Sequence, residues 1–227
     1  MTATTTERDE VPEYRQFRYV RPADATEIVL VRHGETVAAR SDEPFPLLAG
    51  QGDPALSEEG REQAERVASR LAATEVAAVY VTTLCRTAQT AAPLAAKVGL
   101  EPVVEADLRE VFLGEWEGGL YRQKVVERDP LALRVFAEER WDVIPGAESS
   151  EVFAERITRG IRRVADAHVG ERVVAVSHGG AIGIALSLAT GSRPFAFVGA
   201  DNASLSTLVV TPERWLLRSF NDVSHLT

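Results

Sequence analysis

The chain has 227 residues, of which 45% are hydrophobic and 26% charged, and it carries a formal net charge of -9. This composition excludes a disordered, fibrous or collagen-like protein and fits a globular domain with enough apolar material for a sizeable core. Acidic and basic residues are interspersed rather than blocked, which argues against a nucleic-acid or anionic-membrane surface; any bound anion must be held by local cations.

Residues 1–26 show no apolar segment between a basic start and a small-residue cleavage site, so they read as an N-terminal arm and not as a secretory signal. Residues 27–227 read as a single domain. Within it, Ile28 to Val31 is a short β-branched run of the kind that forms a buried strand. The stretch Ala38 to Ala55, with three prolines and two glycines, reads as a long loop. Ser57 then caps a helix whose first turn carries Glu58 and Glu59. Val76 to Val81 is a second strand and Leu84 to Val98 a second helix. The region Gly118 to Ala147 is irregular and amphipathic, and reads as helical excursions over the sheet edge.

Glu151 to His168 follows as a further helix and Arg172 to Val176 as a further strand. Val173 to Thr190 is nearly uncharged but interrupted by Ser-His-Gly-Gly, which fits a buried strand entering a buried helix better than a membrane span. That helix ends on a candidate C-cap, Gly191. Leu205 to Val210 and Trp215 to Phe220 close the chain as a β-hairpin. Strands alternating with helices predict an α/β fold, a three-layer α/β/α sandwich around a mostly parallel central sheet, with ligands at the carboxyl ends of the strands.

Two histidines arrive at that edge. Arg32 and His33 leave the first strand, and His178 leaves a later one in the same arrangement of strand, histidine, glycine, helix. The glycines allow close backbone approach, and a helix opening at Gly179 offers unpaired N–H groups to an anion. Arg86 sits in the first turn of a helix, an unfavourable place for a cation unless it faces an anion. Glu110 lies between apolar neighbours in a stretch too glycine-rich for a helix interior, with Glu35, Glu115 and Glu117 as rival carboxylates. Arg109, Arg122 and Lys124 flank the expected mouth and read as solvated charges, outside the site. His168 and His225 read as surface residues, Trp116 as packing under a loop, and Cys85 as a small helix residue. Cys85 is the lone cysteine, so no internal disulfide can form, which suits a cytoplasmic setting.

The ordered phrases VRHGET, LSEEGREQA, LCRTAQTA, LREVFLGEWEG, PGAESSEVFAERI and VAVSHGG resemble the histidine phosphatase superfamily, in the branch that holds phosphatases and cofactor-dependent phosphoglycerate mutases. The likeness runs from about Glu27 to at least Asn202. It implies a phosphoglycerate mutase-like fold, His33 of the RHG motif as the nucleophile that takes the phosphoryl group, and Arg32, Arg86, His178 and Gly179 as its phosphate-binding surround. It implies Glu110 as proton donor, no cofactor and no metal. Three positions depart from the family pattern: Ala39 stands where asparagine is frequent, and Thr82 and Thr83 where serine and proline are.

The resemblance therefore implies a phosphomonoester hydrolase acting on small phosphorylated metabolites, with neither nucleic acid nor membrane as partner. Two alternatives stay open. A cofactor-dependent phosphoglycerate mutase would share the first half-reaction, but its substrate clamp is not recognised between Gly118 and Val173. A non-catalytic binding protein of the same fold would be expected to have lost one of the five central residues, and all five are present. The closing hairpin and the phrase FAFVGADNAS suit a homodimer or, equally, the core.

Overall fold

The computed structural model describes residues 13–227. Residues 1–12 of the expected arm lie outside it. The described remainder of the arm runs as coil and turn, with Arg21 donating to the carbonyls of Glu171 at 2.8 Å and Gly170 at 2.6 Å. Strand β1 spans Thr26–Arg32, so the last residue assigned to the arm already belongs to the sheet.

The sheet has six strands in the order β5-β4-β6-β1-β7-β8, where β4 is Ala78–Val81, β5 Val103–Val104, β6 Arg172–Ser177, β7 Leu205–Val210 and β8 Trp215–Asp222. Strands β5, β4, β6 and β1 are mutually parallel, and β7 and β8 add an antiparallel edge. Central strands of this kind are covered on both faces and so carry runs of apolar residues instead of alternating ones. Val173 to Val176 of β6 are all buried, as are Ile28 to Val31 of β1.

One apolar layer joins Val29, Val31, Val79, Val81, Val174 and Val176 to helices α1 (Glu58–Leu71) and α2 (Cys85–Val98). The other joins Ile28, Leu30, Val173 and Ala175 to α5 (Ser150–Ala167) and α6 (Gly179–Thr190). Alternate strand residues face opposite layers, which gives the three-layer sandwich expected from the sequence. Helix α5 turns Phe153, Ile157, Ile161 and Val164 inward at helical spacing. Each such fully buried side chain contributes on the order of 1.5–3 kcal/mol. Gly191 ends α6 at φ +64° as anticipated.

The two-residue strand β5 has no counterpart in the sequence reading, and two further regions differ from it. The loop from Ala38 to Ala55 contains a two-residue hairpin, β2 (Leu47–Leu48) against β3 (Gln51–Gly52), too short to register as periodicity. The excursion after Gly118 contains α3 (Leu120–Val126), α4 (Pro130–Glu138) and a 3-10 turn at Trp141–Val143, and it forms a cavity wall rather than merely covering a sheet edge. Its two ends are pinned together. Glu148 N–H donates to the Phe112 carbonyl at 2.9 Å and Glu115 N–H to that of Pro145 at 3.0 Å. Gly114, at φ +55°, lies so close that a Cβ there would stand 2.3 Å from the Pro145 oxygen.

Candidate active site

Strand β1 ends by delivering Arg32 and His33 to the carboxyl edge, and β6 delivers Ser177 and His178 beside them. The register pairs Arg32 with Ser177, and the His33 N–H donates to the Ser177 carbonyl at 3.0 Å. The two imidazoles therefore meet edge to face, with ring centroids 5.3 Å apart. His33 Nδ1 lies 2.8 Å from the Gly34 carbonyl. A carbonyl only accepts, so Nδ1 carries the proton and Nε2 keeps the lone pair. Burial, reinforced by the Arg86 and Arg32 guanidiniums, holds the His33 pKa well below the ordinary histidine value.

His178 is fully buried beside His33. Its Nε2 lies 3.0 Å from Thr82 Oγ1, its Nδ1 has no partner among the described residues, and burial followed by Arg86 and His33 pulls its pKa well down. Thr82 also meets Thr87 Oγ1 at 3.1 Å. The substituted threonine thus keeps a hydroxyl on the second histidine.

Arg86 occupies the first turn of α2, where the sequence demanded an anion. Asp53 supplies one. Its Oδ1 accepts the Cys85 N–H at 2.8 Å and lies 3.7 Å from the Arg86 guanidinium, and Arg86 also donates to the Gly52 carbonyl at 3.0 Å. Arg32 bonds the Ala200 carbonyl. Burial lowers the pKa of both arginines, yet guanidinium stays charged under any working condition.

Glu110 reaches the same place from the turn after β5. Its carboxylate spans the start of α6, with Oε2 accepting the Gly180 N–H at 3.0 Å and Oε1 that of Ala181 at 3.2 Å. A helix N-terminus favours such a negative group. The backbone of Glu110 is held from two sides. Gln51 donates to its carbonyl at 2.9 Å, and so does Arg156 at 2.8 Å. Arg156 further donates to the carbonyls of Asp107 and Arg109 and makes a two-point pair with Glu148.

Arg32, His33, Arg86 and Glu110 line one cavity of about 240 Å³. Tyr121, Trp116, Trp141 and Phe45 supply its aromatic walls, and Arg122 and Glu117 complete the charged groups. His178 does not line it. Among the rival carboxylates, Glu35 and Glu115 are exposed. Glu117 faces the cavity, but its oxygens accept the Gly52 N–H at 2.7 Å and the Leu113 N–H at 2.8 Å, and burial raises its pKa. Among the described residues no group of three or more His, Cys, Asp or Glu is placed to hold a metal ion, and no helix is long and apolar enough to cross a membrane.

The residues outside the predicted set fall differently. Lys124 pairs with Asp129 at 2.9 Å, whereas Arg122, read as a solvated charge, lines the cavity. His168 and His225 are half-buried and bonded, His168 between Tyr80 Oη at 2.9 Å and Glu171 at 2.7 Å, and His225 to the Ala203 carbonyl. Both were expected on the surface. The pattern hides Tyr80 and Ala203 as partners because they are distant in the sequence. Trp116 is packed as expected, and burial beside Asp53 pushes the Cys85 thiol up to about 11, which keeps it unreactive. Arg156 was missed, although its spacing showed it: it falls within the buried stripe of α5, between Phe153 and Ile157, where a charge needs a buried partner.

A mostly parallel sheet that gathers two histidines and two arginines at its carboxyl edge, with a carboxylate across the cavity, defines an enzyme that handles phosphoryl groups. Residues 28–223 match the model of the histidine phosphatase superfamily (branch 1), and the chain belongs to that family. It is 39% identical to "Phosphoglycerate mutase-like protein 4" of Arabidopsis thaliana, over 89% of this chain and 88% of the relative. It is 35% identical to the "Metal-independent phosphoserine phosphatase" of the same plant, over 90% and 85% respectively. Among solved structures, a mycobacterial glucosyl-3-phosphoglycerate phosphatase superposes with a TM-score of 0.72 at 28% identity, covering 87% of this chain and 99% of that one. The fold is accordingly phosphoglycerate mutase-like.

Proposed function

We propose that this protein hydrolyses phosphate monoesters of small metabolites through a phosphohistidine formed on His33. One observation carries the reading: the proton on Nδ1 is fixed by the Gly34 carbonyl, so a neutral Nε2 lone pair faces the cavity that Arg32 and Arg86 also line. The relatives named as phosphatases support hydrolysis over transfer to a second substrate. The small cavity suits a compact leaving group.

In the first half-reaction the Nε2 lone pair bonds to phosphorus as the ester P–O bond breaks. The leaving oxygen takes a proton from Glu110 in its acid form. Arg32 and Arg86 answer the charge on the equatorial oxygens with directed hydrogen bonds. The phosphoimidazole then carries a positive charge, stabilised by the Nδ1–H bond to Gly34. In the second half-reaction Glu110, now ionised, takes a proton from water. The water oxygen bonds to phosphorus, the N–P bond breaks, and inorganic phosphate leaves with neutral His33 restored. His178, whose ring meets that of His33 edge to face, and the Gly179 N–H complete the phosphate surround that the family likeness implies.

The test is release of inorganic phosphate from p-nitrophenyl phosphate, sugar phosphates, nucleotides and 3-phosphoglycerate, with His33→Ala as control. Release by the wild type and none by the variant, at an unchanged melting temperature, is the expected result. Isomerisation of 3-phosphoglycerate in the presence of 2,3-bisphosphoglycerate, without phosphate release, would establish a mutase instead. Inactivity in both assays would leave a binding protein.

A further inference from the structure

The contact that fixes the proton of the nucleophile, His33 Nδ1 to the Gly34 carbonyl, closes across a single peptide group. The imidazole hangs from one side of the His33–Gly34 peptide and the accepting carbonyl from the other, so the placement of that rigid plane decides whether they meet. Gly34 does not supply the rigidity. Helix α1 packs so close that a Cβ there would stand 2.4 Å from the Gly60 oxygen, which requires glycine, and glycine leaves the backbone torsions freer than any other residue. The peptide has to be held from outside.

It is held at both ends. Its N–H donates to Thr90 Oγ1 at 3.0 Å, a buried bond to a buried side chain. Its carbonyl accepts from the Asn202 side-chain amide at 3.0 Å and, over a longer 3.3 Å, from the Ala203 N–H. The two side chains come from distant parts of the chain: Thr90 from α2, and Asn202 from the loop before β7, within the phrase FAFVGADNAS.

The hydrogen-bond roles of Thr90 are fixed. Its one hydroxyl proton goes to the Arg86 carbonyl at 2.7 Å, one turn back in α2, which leaves a lone pair for the Gly34 N–H. A single hydroxyl thereby ties the loop of the nucleophile to the helical turn that carries Arg86. Further along this loop Gln63 takes the Glu35 N–H at 2.9 Å in a solvent-exposed bond, and Arg122 donates to Thr36 Oγ1 at 2.6 Å. Both act past the His33–Gly34 peptide and leave its plane to Thr90 and Asn202.

We propose that Thr90 and Asn202 are positioning residues: together they clamp the His33–Gly34 peptide and through it hold His33 in the Nδ1–H tautomer, whose Nε2 is free to attack. The catalytic consequence rests on the phosphatase reading of the site, whereas the tautomer can be read without turnover.

The experiment records nitrogen–proton NMR correlations of the histidine rings in the wild type, Thr90→Val, Thr90→Ser and Asn202→Ala, with the His33 signals identified as those lost in His33→Ala. It adds kcat/KM for an alkyl phosphate and for p-nitrophenyl phosphate, beside a thermal melt. The wild type carries the His33 proton on Nδ1. Thr90→Val, which keeps the shape and removes the hydroxyl, and Asn202→Ala each move part of that proton to Nε2 and lower kcat/KM by about tenfold, roughly the worth of one hydrogen bond. The fall is equal on both esters, because they share the nucleophile, whereas a defect in the acid shows on the alkyl ester. Thr90→Ser, which keeps the hydroxyl, stays within about twofold of the wild type. A His33 proton that remains on Nδ1 in both Thr90→Val and Asn202→Ala overturns the proposal whatever turnover does, and makes the two side chains parts of the fold alone. A displaced proton with unchanged turnover on both esters overturns it too. Where Thr90→Val does not fold, Asn202→Ala decides at the other end of the same peptide. If the wild type hydrolyses no ester, the phosphatase reading falls, and the ring spectra still decide the clamp.

Discussion

Gly180→Ala separates the acid from the rest of the machinery. A Cβ at Gly180 would lie 2.5 Å from Glu110 Oε1, whereas a carbon and an oxygen rest at about 3.3–3.6 Å. The carboxylate must therefore retreat by roughly 1 Å, and a displacement of that size from a reacting geometry costs on the order of a hundredfold in rate. The fold loses little, because the obstacle is the far end of a flexible side chain and alanine is favoured over glycine in a helix by about 0.5–1 kcal/mol. The assay is kcat/KM for an alkyl phosphate and for p-nitrophenyl phosphate, beside a thermal melt. The alkyl ester, whose leaving oxygen needs a proton, slows by about a hundredfold, the phenol far less, and the melting temperature stays within about 3 °C. Wild-type turnover of the alkyl ester would refute Glu110 as the acid. An equal loss on both esters would show that the methyl obstructs the phosphoryl group instead.

Two more outcomes follow from the same geometry. Glu117→Gln sets an amide N–H against a backbone N–H at Gly52 or Leu113 and costs about 1–3 kcal/mol of stability, without changing the ratio of alkyl to phenol turnover, whereas Glu110→Gln lowers that ratio; reversed assignments would appear directly in paired kinetics and denaturation. His33 and His178 are buried neutral with folded pKa values depressed below the unfolded value of about 6.5. The unfolded chain then binds protons first, so stability is complete above about pH 6.5 and falls below it by about 1.4 kcal/mol per pH unit for each histidine. Urea titrations at pH 7 and pH 5 check this, and a loss halved in His178→Gln assigns the second share.

The sheet was legible because its central strands are uninterrupted runs such as Ile28 to Val31 and Val173 to Val176, and the helices because their caps and stripes are regular. The site was legible where chemistry sits next to a strand end, as at Arg32, His33 and His178. It was illegible where a side chain earns its role from partners on other elements. Arg122 looks solvated until α3 folds back on Thr36, and Arg156 looks like one more helix charge until its fork meets Glu148. The two-residue strands β2 and β3 carry no periodicity, yet they place Gln51 under Glu110 and the Gly52 carbonyl on Arg86.

The pinned ends of the excursion between Phe112 and Glu148 make it a cassette. Because its stems are fastened to each other and not only to the sheet, residues can be gained or lost between them without disturbing the strands that carry His33 and His178. Tyr121, Arg122 and Trp141 all belong to this segment, while the reacting groups lie outside it. Selection can exchange one set of accepted molecules for another by rewriting the residues between Phe112 and Glu148, and leave the bond-breaking apparatus as it stands.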